Sequence, residues 1–158
     1  MMLRAIELSE RAYKSGKGLP IGCVITQNGA IAGEGHNEVF HRMNPTAHAE
    51  MIAIERACRN LESVQLSGCE LYTTVEPCPM CIAAIYWAKI DRVFYATTSR
   101  QVEPFGFDDT LIFEELRKQA QDRRIACFHV TEPTAFHVIE RWKDADDAAA
   151  YPWDEKGI

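Results

Sequence analysis

Two short motifs constrain this chain more than any other feature: His48-Ala49-Glu50, and Pro77-Cys78-Pro79-Met80-Cys81 further along. One histidine and two cysteines form a donor set that suits zinc. Structural zinc sites fill all four positions with protein, whereas a set of three leaves one open, as catalytic sites do. Glu50 is the remaining nearby residue with obvious chemistry, a carboxylate able to move protons. The spacing also restricts the fold. Cys78 and Cys81 are three apart and share a face in the first turn of a helix opened by Pro79. His48 and Glu50 are two apart, so they reach one metal only from the N-terminal end of a helix. Two helix starts must therefore meet at one point.

The rest of the chain alternates in a way that can bring this about. Residues 2–15 set Leu3, Ile6, Leu8 and Tyr13 among charged residues, the pattern of an amphipathic helix. Strands are expected at 21–26 and 30–34, joined by a tight Asn28-Gly29 turn. Asn44-Pro45 reads as the cap and first turn of a helix running to about Asn60, with Ala49, Ile52, Ala53 and Ala57 inward. Further strands are expected at 71–75, 92–97 and 125–130, with helices at 79–89, 110–122 and 133–149. A hairpin followed by alternating helices and strands implies an α/β fold: a three-layer α/β/α sandwich on a mixed five-stranded sheet.

The 158 residues fit a single domain, 1–158, with an ordinary globular composition of 47% hydrophobic and 25% charged residues. Apolar runs are too short to span a membrane. The N-terminus lacks a secretory pattern, and six cysteines without export point to free thiols in a reducing cytoplasm. Net charge is −6, and no basic cluster exceeds Arg123-Arg124. A nucleic-acid backbone calls for the opposite balance. The expected partner is a small neutral molecule, with neither nucleic acid nor membrane.

His48-Ala49-Glu50 with Pro77-Cys78-Pro79-Met80-Cys81 resembles the pattern of the zinc-dependent nucleobase deaminases of the cytidine-deaminase-like superfamily. The likeness spans roughly residues 20–113. Ala84-Ile85-Tyr86-Trp87-Ala88 and Gly106-Phe107-Asp108-Asp109 resemble the small bacterial-type guanine deaminases most. Ile21, Gly35-His36-Asn37 and the tail Tyr151-Pro152-Trp153-Asp154-Glu155 look more like fungal-type cytosine deaminases.

The resemblance implies Zn2+ on His48, Cys78 and Cys81, with Glu50 as proton shuttle. It also implies that Asn37 and the Ala49 N–H orient a nucleobase, that Asp109 acts in catalysis by holding the exocyclic amine, and that Trp87 walls the pocket. Phe105 and Phe107 are further candidates for that wall, and Asp108 reads as a helix cap. Residues 150–158 are a candidate lid, and relatives of this kind are usually homo-oligomers, which makes a homodimer the expectation. The remaining cysteines, 23, 58, 69 and 127, read as small buried hydrophobes.

The implied activity is hydrolytic deamination of free guanine. Cytosine, guanosine or an aminotriazine are alternative substrates, and tRNA adenosine is a more distant one. From another class comes a non-catalytic zinc-stabilised module, which needs a fourth ligand such as Cys58 or Cys69 and leaves Glu50 without a task.

Overall fold

A computed structural model describes residues 1–16 and 18–143. The chain separates into two compact units, Met1–Thr110 and a second beginning at Leu111. In the first unit a four-stranded mixed sheet runs in the order β2-β1-β3-β4. Its strands are β1 (Gly22–Gln27), β2 (Ala30–His36), β3 (Cys69–Val75) and β4 (Arg92–Thr97). β1 is antiparallel to both β2 and β3, while β3 and β4 are parallel. Asn28 and Gly29 both take positive φ, 50° and 80°, and form the tight β1–β2 turn.

Helix α1 (Met2–Ser15) covers one face of this sheet by packing Ala5 and Leu8 against Val24 of β1. The expected helix is present, but Leu3 and Tyr13 point outward, and the buried stripe is Ala5, Leu8 and Ala12. Small residues win because the backbones approach closely: a Cβ on Gly22 would lie 2.1 Å from the Ala5 carbonyl oxygen.

After the short α2 (Val39–Arg42), α3 (Ala49–Asn60) and α4 (Pro79–Trp87) pack on the opposite face. There Ala49, Ala53, Ala57 and Ile85 close a core with Cys23, Ile25 and Leu71. The alanines repeat every four residues and present a smooth ridge. Gly33 of β2 meets it so closely that a Cβ would lie 2.4 Å from the Ala53 carbonyl oxygen. This contact sets the height of α3 above the sheet, and with it the height of the residues at its N-terminus.

α3 begins four residues later than Asn44-Pro45 would place it. The Asn44 side chain instead accepts from the Thr46 N–H and hydroxyl, making a local turn that uses up its capping capacity. His48 becomes the N-cap, with extended φ/ψ of −70° and 157°.

The first unit also holds the short α5 (Ser99–Val102), and the second carries most of α6 (Thr110–Arg117), and α7 (Pro133–Lys143). Among the described residues no strand forms at 125–130, so the sheet has four strands rather than five. A strand exists only through its ladder. This segment bonds within its own unit, from Cys127 N–H to the Ala120 carbonyl, and leaves Ile125 85% exposed. Cys127 is likewise exposed rather than buried. The expected continuation of α7 to 149 and the candidate lid at 150–158 lie outside the described residues.

Candidate active site

The two helix starts meet as the motif spacing requires. His48 caps α3, Cys78 caps α4, and Cys81 lies in the first turn of α4 behind Pro79. His48 Nδ1 is 3.5 Å from Cys78 Sγ and 3.6 Å from Cys81 Sγ. Donors at ordinary zinc bond lengths around a tetrahedron stand roughly 3.6–3.8 Å apart. The three donor atoms all lie within 4.8 Å of one another, so the geometry fits zinc. It is the sole such group among the described residues, and Cys58 and Cys69 are not in it.

The electrostatics fit as well. A hydrogen bond from Cys81, with His48 beside it, draws the Cys78 thiol down to about 4 against the opposing effect of burial. Donating that bond, burial and the Glu50 carboxylate all push the Cys81 thiol up. His48 is raised, chiefly by its hydrogen bond with Cys78. A divalent cation would displace the protons these donors hold as the ligating thiolates and neutral imidazole form.

Glu50, in the first turn of α3, is 3% exposed. Thr73 Oγ1 donates to its Oε1 at 2.9 Å, and Cys81 Sγ donates to its Oε2 at 3.5 Å. Burial raises the carboxyl pKa, partly offset by the backbone bond and by Thr73. It is therefore a basic carboxylate, seated beside the metal ligands and outside their set.

A hollow of about 200 Å³ opens above these groups. Its wall includes Leu19, Ile21, Glu76, Phe107 and Asp109 besides His48, Glu50 and Cys78. Burial, then the Cys78 charge, raises the Asp109 pKa. Asp108 accepts from Thr110 N–H at 2.9 Å, the expected turn-capping role. Glu76 accepts from the N–H and hydroxyl of Ser99, at 2.9 and 3.0 Å, and so ties the 98–109 segment to the metal loop.

Asn37 is 1% exposed and, like Ala49, is not among the residues lining the hollow. Its Oδ1 accepts from Leu19 and Val39 N–H at 3.1 and 3.2 Å, which fixes the amide, and its buried Nδ2 has no partner. An orphaned buried donor costs stability unless a ligand satisfies it. Ala49 is the first residue of α3, where the helix does not use the N–H.

Trp87 and Phe105 are not brought into the hollow. Trp87 closes α4, about 9 Å of helix rise beyond Cys81, and is 53% exposed. Phe105 points outward.

Two neighbours of the site escaped the sequence reading. Gly18 lies so close to Asn37 that a Cβ would fall 1.8 Å from its carbonyl oxygen. Thr73 holds Glu50, and its signal was a hydroxyl at an inward position of β3, after Cys69 and Leu71.

Comparison with known proteins agrees with this geometry. The chain is 42% identical over 148 residues to guanine deaminase of Bacillus subtilis (strain 168), covering 94% of this chain and 95% of that one. The crystal structure of guanine deaminase from Bacillus subtilis superposes with a TM-score of 0.88 at 42% identity, covering 92% and 93% of the two chains. A tRNA-specific adenosine deaminase of Aquifex aeolicus is 41% identical over 97 residues, 61% of this chain and 64% of its own. Residues 1–97 match the profile of the cytidine and deoxycytidylate deaminase zinc-binding region. With its metal donors, buried glutamate and helix starts in place, this chain belongs to that zinc-binding deaminase family.

Proposed function

We propose that this chain catalyses hydrolysis of free guanine to xanthine and ammonia. The observation that carries the reading is a buried carboxylate, Glu50, beside three metal donors on the floor of a small hollow. Likeness to a guanine deaminase along nearly the whole chain supports guanine as the base. The zinc-stabilised module finds no fourth ligand in the donor group among the described residues.

His48, Cys78 and Cys81 hold the zinc, which when bound lowers the pKa of water enough to supply a nucleophile near neutrality. Asn37 Nδ2 donates to a ring acceptor and the Ala49 N–H to a second, so the ring is held edge-on. Asp109 accepts from the exocyclic amine and places C2 over Glu50. Glu50 takes a proton from the attacking water and delivers it to the adjacent ring nitrogen. As the C2–N bond breaks, Glu50 carries the second proton to the departing nitrogen, which leaves as ammonia while oxygen stays on C2. Glu50's raised basicity suits both transfers.

The enzyme works in the cytoplasm, consistent with free cysteines, and without nucleic acid, consistent with its net charge of −6. It acts as a homodimer, supported by exposed Tyr86, Trp87, Phe94 and Tyr95, aromatic area of the kind that partner subunits cover. Among the described residues no helix is long and apolar enough to cross a membrane.

The test is ammonia release from guanine, guanosine, cytosine, adenine and ammeline by the purified zinc-loaded protein. Guanine should be preferred by at least about tenfold in kcat/KM, roughly the value of one polar contact. Preference for cytosine would overturn the choice of base.

A further inference from the structure

Thr73 occupies an inward position of β3 that its neighbours fill with apolar groups. Cys69 and Leu71, four and two residues earlier, are fully buried, and Thr73 is 0% exposed. Valine has the same shape and would fill this space without a hydroxyl to satisfy. The hydroxyl is spent on Glu50 Oε1, at 2.9 Å. Cys23, its cross-strand partner on β1, is also buried and carries sulfur, a weak acceptor that does not compete.

The two oxygens of Glu50 are therefore not equivalent. Oε1 faces Thr73, and Oε2 faces Cys81 in the metal donor set. Oε1 therefore lies on the side of the sheet and Oε2 on the side of the metal donors. The terminal torsion of a glutamate is soft and roughly two-fold. Without an anchor, the carboxylate turns and places its proton on either oxygen.

We propose that Thr73 is a positioning residue for the deamination: its hydroxyl makes Oε1 of Glu50 the anchor and Oε2 the oxygen that carries the proton. The proposal rests on the reading of Glu50 as proton carrier. Thr73 touches no substrate, so its removal acts on the chemical step and leaves ground-state binding alone.

The test compares Thr73→Val, Thr73→Ser, Thr73→Ala and Glu50→Gln as full-length, zinc-loaded proteins. Thr73→Val should keep one zinc per chain and melt within a few degrees of the parent. Its KM for guanine should change less than about twofold while kcat falls about tenfold to a hundredfold, the value of a hydrogen bond to a charged group. Thr73→Ser should restore kcat to within about threefold of the parent. Should Thr73→Val not fold, the serine and alanine variants, which differ only by the hydroxyl, must show the same split. Parental kcat in Thr73→Val overturns the proposal. So does serine performing no better than valine or alanine, or a fall in kcat that merely follows lost zinc or melting temperature. A dead Glu50→Gln beside a normal Thr73→Val sinks this proposal alone, whereas an active Glu50→Gln sinks the proton-carrier reading itself.

Discussion

Glu50 is two residues from a metal ligand and within reach of a second, yet its carboxylate is taken up by Thr73 and turned toward the hollow. Removing its charge should therefore spare the metal. Glu50→Gln is expected to bind one zinc per chain and to lose about a hundredfold to ten-thousandfold in kcat, the usual span for a general acid–base group. Metal analysis alongside steady-state kinetics checks both halves. Cys78→Ala removes a donor and should lose zinc and turnover together. Asp109→Asn should leave zinc in place and raise KM for guanine, because an amide is a poorer acceptor for the amine than a carboxylate. The metal donors and Glu50 were legible in the bare sequence because their chemistry is local, a residue type at a helix start. Thr73 was not, because its meaning comes from a strand register that pairs it with Cys23 and faces it to α3. Trp87 belongs to a contiguous motif, but six residues of helix separate it from Cys81.

At the scale of elements, the site depends on how closely α3 lies on the sheet. The helix was legible from its alanine ridge, whereas its first residue was not. Asn44 satisfies itself in a turn, and only then does His48 cap the helix. Gly33→Ala tests the seating: the added methyl would meet the Ala53 carbonyl oxygen at 2.4 Å and Ala57 N at 2.6 Å. It should cost about 1–3 kcal/mol in urea unfolding, as overpacking does, and should lower activity by displacing His48 and Glu50. On the other face, Arg4 of α1 holds Glu34 of β2 through two hydrogen bonds, at 2.8 and 2.6 Å. The Arg4 bonds hold the Glu34 carboxyl below its usual value of 4.5. A lowered folded-state value means that the stabilisation is present above the unfolded pKa and disappears as pH falls through the folded one. The melting-temperature gap between the parent and Glu34→Gln should thus be open at pH 7 and close below pH 4.5. The gap should be small, because both partners are partly solvated.

Across the whole molecule, the α/β class and the mixed sheet follow from periodicity, since a hairpin and alternating elements leave few topologies. The fifth strand at 125–130 did not follow. β-formers supply the propensity for a strand, but only a neighbouring ladder makes one, and here the backbone bonds within its own unit. Likewise, the apolar face of α1 was misjudged, because close approach to β1 selected alanines over larger hydrophobes.

Net charge is the remaining property of the whole chain, and it bears on the nearest rival activity. Binding of tRNA draws most of its affinity from cations that neutralise phosphates and release counterions. With 23 acidic against 17 basic residues, this chain repels a polyanion overall. The likeness to a tRNA-specific adenosine deaminase spans only 61% of the chain, against 94% for the guanine deaminase. At physiological salt, tRNA added in large excess should therefore leave guanine turnover unchanged, and no inosine should appear in the recovered RNA. Inhibition that vanishes between about 50 and 200 mM salt would reveal a basic face hidden by the net charge. Inosine in the recovered tRNA would give the nucleic-acid activity to this chain and remove the argument from charge.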